Sequence, residues 1–278
     1  MGPRIATGVV GGVVLLIFLL YSVFTALVTV ALLHAIAIYE FTRLEPRLTP
    51  RIVAAYVLVS TALLTLSSLA LTKVYAAELV PALVCALAVL VACGDLFAYE
   101  RSGTAGQFAY LARGILLITL PFAFIVPIAH WIGGFPYLLL LAGASFGADI
   151  GGMSAGRLIG RHKLVPRLSP KKTWEGLIAG LLAAAACWMV TFSLWHPDIH
   201  IGFTAFSDLP NWLQLTLAAL GGMVTALFGI AGDLAFSLIK RQHQTKDYGQ
   251  LLPGHGGILD RFDAFIFCAP LVYLICLM

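Results

Sequence analysis

The sequence predicts an all-α, polytopic integral membrane protein of about nine transmembrane helices, with one polar site at the cytoplasmic face. Three observations carry this. The 278 residues are 60% hydrophobic and 11% charged, with mean hydropathy +0.97, whereas a soluble domain carries about 25% charged residues. Several runs approach the roughly 20 apolar residues that span a bilayer. Half of the charged residues fall in two stretches, Asp149–Gly176 and Ser237–Asp263. Nothing shows the alternating strands of about ten residues that mark a transmembrane barrel.

The predicted spans lie at residues 5–20, 22–40, 52–72, 79–98, 111–130, 135–150, 174–195, 212–239 and 262–278. The first two are separate helices, broken near Tyr21–Ser22. The first run follows Arg4 without a small-residue cleavage site, so it reads as an anchor rather than a signal peptide. The loops test the count. Arg43, Arg47 and Arg51 share one loop, and Arg101 and Arg113 flank another. Arg157, Arg161, Lys163, Arg167, Lys171 and Lys172 crowd a third, and Lys240, Arg241, Lys246 and Arg261 fill the last. The alternate loops hold almost no basic residues. Basic loops face the cytoplasm, so nine spans put every basic loop on one side and the C-terminus on the other.

No repeat or soluble insertion interrupts the pattern. The chain therefore reads as a single transmembrane domain over 1–278, with N-terminal helices in 1–140 and the functional helices and loops in 141–278. Cys85, Cys93, Cys187, Cys268 and Cys276 all lie in apolar segments without a CxxC pair. They are expected to be buried, reduced thiols rather than a zinc site or a disulfide framework. No nucleic-acid partner is expected.

Charge is costly beside lipid, so the two charged stretches point to one polar site. Asp233 stands about two turns inside apolar sequence, where an ionisable residue is a functional candidate by default. Ser237, four residues on, shares its helix face, and Lys240 and Arg241 continue that face into the loop. Gly249, Gly256 and Gly257, with His255, form a glycine-rich loop whose amides can approach phosphate oxygens. Asp260, Arg261 and Asp263 follow at the start of the last helix. The two carboxylates there, with Asp233, offer hard oxygen ligands of the kind that hold Mg²⁺ together with substrate phosphates. Capping of the last helix by Asp260 is the plainer alternative.

In the first stretch, Asp149 ends an apolar run. A basic block without acids follows, and Arg161, Lys163 and Arg167 suit an anchor for anionic headgroups. Ser169 or Thr173 can cap the next helix, and Glu175 suits its first turn. Lys171 and Lys172 are then expected at a helix N-terminus, where anions bind.

The order S-x-I-K-R-x4-K-D-x-G-x2-L-P-x-H-G-G-I-x-D-R-F-D from Ser237 to Asp263 resembles the signature of the CDP-diacylglycerol synthases (phosphatidate cytidylyltransferases). Ser169–Gly176, reading SPKKTWEG, resembles a second block of that family, and Tyr39-Glu40-Phe41 a third, weaker one. Met153 stands near a place where the family usually has an aromatic residue.

The resemblance implies transfer of a cytidylyl group from CTP to phosphatidic acid in the membrane lipid, with Mg²⁺ and a second, auxiliary metal ion such as K⁺. It implies a homodimer, for which Gly221, Gly222, Gly229 and Gly232 would allow close helix packing. It also implies residue roles. Asp233 and Asp260 would hold the metal, with Asp263 as a third ligand or as a support behind them. Lys171, Lys172, Lys246 and Arg261 would meet the phosphates, and His255 with its glycines would shape the triphosphate loop. Ser169, Ser237, Lys240 and Arg241 would contact substrate, and Asp149 and Asp247 would serve the metal or the cytosine. A compact chain of this kind suits a bacterial inner membrane, with the site facing the cytoplasm. A transferase acting on another lipid phosphate, a transporter, and an inactive scaffold are the competing readings. A transporter predicts scattered mid-membrane charge, which is not the pattern here.

Overall fold

The structure is a computed structural model that describes residues 14–46, 48–73, 107–130, 134–166, 168–195, 200–201, 204–249, 251 and 256–277. The predicted span 79–98, Cys85, Cys93 and His255 lie outside the described residues. Among the described residues, six helices are long and apolar enough to cross a membrane, and the chain is an integral membrane protein. It divides into two compact units, one of Met1–Gly134 with Asp247–Arg261, the other of Phe135–Lys246 with Phe262–Met278.

In the first unit, α1 covers residues 14–21 and α2 covers Val23–Thr42, with Ser22 between them. The break predicted at Tyr21–Ser22 is therefore present, and its cause is local. The Ser22 hydroxyl accepts from the Thr25 amide at 3.1 Å, and the Thr25 hydroxyl accepts from the Ser22 amide at 3.0 Å. This reciprocal cap satisfies two amide donors at the start of α2. Helix α3 runs Pro50–Lys73. Helix α4, Tyr110–His130, contains a π-turn at Ile115–Thr119. The buried His34 of α2 ties these three helices together: its imidazole bonds Thr61 at 3.2 Å and Thr119 at 2.9 Å.

In the second unit, α5 spans Phe135–Leu158 with a π-turn at Gly143–Gly147. A short antiparallel hairpin follows, β1 Lys163–Val165 with β2 Ser169–Thr173. Helix α6 is Trp174–Trp195. A second small hairpin pairs β3, His200–Ile201, with β4, Thr204–Ala205. Helix α7, Asn211–Gln242, and α8, Leu259–Leu277, complete the described elements. At about 1.5 Å per residue, the 22 residues of α6 reach about 33 Å, close to the roughly 30 Å hydrocarbon core. Trp174 and Trp195, both exposed, mark its two ends, as aromatic residues do at membrane interfaces. Exposed Ile178, Leu182, Val190 and Leu194 line the flank between them, which suits contact with lipid tails.

Close packing of α5 on α6 rests on small residues. A Cβ at Gly176 would meet the Gly152 carbonyl oxygen at 2.7 Å, and one at Gly180 would meet that of Ala148 at 2.7 Å. Trp188 is buried against Gly221 and Gly222 of α7, and its indole Nε1 donates to the Leu140 carbonyl at 2.8 Å. Gly229 faces Cys268, and Gly232 faces Phe267. The four glycines expected to serve a dimer are thus occupied by contacts within the chain. Cys268 is buried as expected, but Cys187 is exposed on α6. Its side chain lies against Gly143 and Gly147 of α5, where a thiol behaves as a small apolar group.

Candidate active site

The second unit gathers charge around the C-terminal end of α7. The Lys172 ammonium, on β2, pairs with the Asp233 carboxylate, and each side chain is 25% exposed. The Ser237 hydroxyl points to Asp233 Oδ1 at a long 3.5 Å. Asp263 on α8 is buried, and its Oδ1 accepts the Ala264 amide at 2.7 Å. It lies within electrostatic reach of Asp233, Lys240 and Asp149. Asp149, exposed on α5, in turn feels Asp233 and Lys172. Three carboxylates and two ammonium groups therefore share one neighbourhood.

Local structure explains each placement. The close contact of α5 with α6 holds Asp149 beside the start of α6. Thr173 caps that start, its hydroxyl accepting the Gly176 amide at 3.1 Å, as expected of this residue. Glu175 in the first turn accepts the His162 amide at 3.2 Å and meets His162 Nδ1 at 2.7 Å, which ties the β1–β2 hairpin to the helix. Ser169 and Lys171 lie on the hairpin strand β2, with Lys171 exposed. Lys172 lies just before Thr173 at the start of α6, and the anion its ammonium meets there is the Asp233 carboxylate.

Helix α7 ends in a left-handed turn, with Gln244 at φ 56°. The Thr245 amide returns to the Lys240 carbonyl at 2.9 Å and the Gln244 amide to Arg241 at 3.0 Å. This pattern closes a helix C-terminus and satisfies its last carbonyls. It leaves the buried Lys240 side chain near Asp263, while Arg241 is exposed and donates to the Thr245 carbonyl at 3.3 Å.

In the first unit, the segment from Asp247 into α8 is held by two carboxylates. Asp260 Oδ2 accepts the Tyr248 amide at 2.8 Å and the Gly257 amide at 3.1 Å. Buried Glu40, near the end of α2, accepts the Ile258 amide at 3.1 Å and the Leu259 amide at 2.9 Å. Gly256 adopts φ 86°, a left-handed backbone that favours glycine. Gly257 is buried, whereas Lys246 in the second unit, and Asp247 and Arg261 in the first, are exposed. Glu40 was legible only as part of a motif block. An acid inside an apolar run is the signal that would have singled it out.

The sequence matches the profile of the cytidylyltransferase family over residues 2–278. A phosphatidate cytidylyltransferase of Rickettsia bellii is 34% identical over 194 residues, 68% of this chain and 78% of that relative. The chain belongs to the cytidylyltransferase family. Relatives carrying the same name in Staphylococcus haemolyticus, 41% identical, and Brucella suis, 40% identical, match over 51% of this chain and 49% and 47% of their own lengths. Membership makes this chain a nucleotidyltransferase, and Glu40, Lys172, Asp260 and Asp263 fall in the blocks that carried the resemblance, whereas Asp149 and Asp233 lie outside them.

The donor chemistry can be tested against Mg²⁺. Among the described residues, no group of three His, Cys, Asp or Glu side chains is placed to hold a metal ion. Asp233 and Asp263, mutually in electrostatic reach, supply two hard oxygen ligands. Mg²⁺ is commonly held by one or two carboxylates with substrate phosphates and water completing its shell, so this pair fits it.

Proposed function

We propose that this chain catalyses transfer of the cytidylyl group of CTP to phosphatidate, forming CDP-diacylglycerol and pyrophosphate with Mg²⁺. The observation that carries the reading is the Lys172–Asp233 pair beside the buried Asp263, within a chain of this family. A phosphate oxygen of phosphatidate attacks the α-phosphorus of CTP, and the bond from that phosphorus to the bridging oxygen of pyrophosphate breaks. The nucleophile is already an anion, so no general base is needed. The residues must bring two anions together, and positioning with charge stabilisation dominates such transfers.

Asp233 and Asp263 would hold the metal, which when bound neutralises phosphate oxygens. Asp260, one turn before Asp263 on α8, is the candidate for a further oxygen. Lys172 and Lys240 lie beside the acids, and exposed Lys171, Arg241, Lys246 and Arg261 would meet the phosphates. Gly256 and Gly257 with His255 shape the triphosphate loop. Asp149 and Asp247 serve the metal or the base, and Ser169 and Ser237 contact substrate. The basic loops support a site facing the cytoplasm, and a bacterial inner membrane is the proposed location. A homodimer and an auxiliary K⁺ rest on family resemblance alone.

The test uses purified protein in detergent micelles with a panel of nucleotides and lipid phosphates. The expected result is Mg²⁺-dependent pyrophosphate release from CTP with phosphatidate, and a loss of at least about 100-fold in Asp263→Asn, the scale of removing one electrostatic contact to the transition state. Absence of CDP-lipid from the wild type, or full activity in Asp263→Asn, would refute it.

A further inference from the structure

Glu40 joins parts of the first unit that are far apart in sequence. Its two carboxylate oxygens take the backbone amides of Ile258 and Leu259, where α8 begins. Those amides are among the donors a helix leaves unsatisfied at its N-terminus. A carboxylate there is favoured by the helix dipole as well as by the two hydrogen bonds. The same carboxylate fixes the composition of the loop. A Cβ at Gly257 would lie 2.5 Å from Glu40 Oε2, and a Cβ at Gly249 would collide with Oε1. Asp260 holds two further amides of the segment, those of Tyr248 and Gly257. Tyr248 is buried near Phe41, the neighbour of Glu40, with ring centroids 6.4 Å apart. Phe41 stacks in turn on Tyr110 at 4.4 Å, whose hydroxyl donates to the Phe41 carbonyl at 2.6 Å.

We infer that Glu40 is a positioning residue for the transferase site. It is a resident oxyanion that fills the start of α8 and moulds the glycine-rich segment around itself. Two consequences follow. The amides of Ile258 and Leu259 are not phosphate ligands. Gly249 and Gly257 are required in part because Glu40, rather than substrate, needs the space. The link to catalysis rests on the reading that this loop receives the triphosphate of CTP.

The test is a double-mutant cycle with Glu40→Ala, Gly257→Ala and their combination, alongside Glu40→Gln, all in the full chain in detergent. Overpacking a tight site typically shifts the melting temperature by roughly 5 °C. Gly257→Ala is expected to lower it by that amount in the wild-type background and by less than half as much beside Glu40→Ala. Glu40→Gln keeps the shape but turns an N–H towards one of the amides. It is expected to raise the KM for CTP about tenfold or more, the scale of a displaced substrate, with the KM for phosphatidate unchanged. An equal Gly257→Ala penalty in both backgrounds would overturn the moulding of the loop by Glu40. A Glu40→Gln protein that melts lower but keeps the wild-type KM for CTP would reduce Glu40 to a structural tie and overturn the positioning role. The melting arm needs no turnover, so a wild type inactive on CTP refutes the proposed reaction while the cycle still decides the contact.

Discussion

Replacing Lys172 by methionine removes the ammonium but keeps most of the side-chain volume. Asp233 then faces Asp263 and Asp149 without its paired ammonium, with Lys240 still near Asp263. At an effective dielectric of about 20, two unit charges about 4 Å apart attract by about 4 kcal/mol. Desolvation offsets most of this. Exposed pairs contribute about 0–1 kcal/mol, and breaking a fully buried pair costs about 3–5 kcal/mol. With both partners 25% exposed, the loss should fall between, at about 1–2 kcal/mol. For a chain of 278 residues this lowers the melting temperature by roughly 2–4 °C. If Asp233 holds Mg²⁺ as proposed, Lys172 and the metal would compete to neutralise the same carboxylate. Magnesium should therefore stabilise Lys172→Met more than the wild type, at a lower half-saturating concentration, even though turnover falls. The assay is thermal unfolding in detergent across a Mg²⁺ titration, with Asp233→Asn and the double variant completing a cycle. Two results would refute the argument: additivity of the two substitutions within about 0.5 kcal/mol, or an equal magnesium shift in Lys172→Met and wild type.

Two further outcomes follow from the helix starts and ties. Thr173→Ala deletes the cap of α6 and should cost about 1 kcal/mol, read as a fall of about 2–4 °C in melting temperature; an unchanged melting point would show that the cap is dispensable. His34→Leu removes the bridge between Thr61 and Thr119. It should cost about 1–3 kcal/mol through orphaned hydroxyls and leave the KM for CTP unmoved. A severalfold change in that KM would give the histidine a part in the site.

Apolar run length made the helices legible, and Ser22 made the first break legible, because both are local properties. The charged site was legible in its membership, since carboxylates and lysines inside apolar sequence have few other reasons to be there. Its pairing was not. Lys172 and Asp233 meet because Gly176 and Gly180 let α6 approach α5, and Gly221 and Gly222 let α7 receive Trp188. No spacing rule within one segment contains that information. The hairpin at Lys163–Thr173 was hidden for a related reason. Its strands are short and its burial pattern irregular, so the alternation that signals a strand is missing.

The glycines of the last loop show a deeper limit. A glycine permits close approach of a backbone to an oxyanion, and the sequence reading assigned that oxyanion to a substrate phosphate. In the structure the oxyanion at Gly249 and Gly257 is the Glu40 carboxylate. Carboxylate and phosphate ask the same thing of a backbone: amide donors, space where a Cβ would stand, and the positive end of a helix. A glycine-rich motif therefore reports that an oxyanion is bound, but not whether it arrives with the substrate or belongs to the chain. Only the acid 218 residues away, accepting from Ile258, separates the two, and that partner enters through the fold.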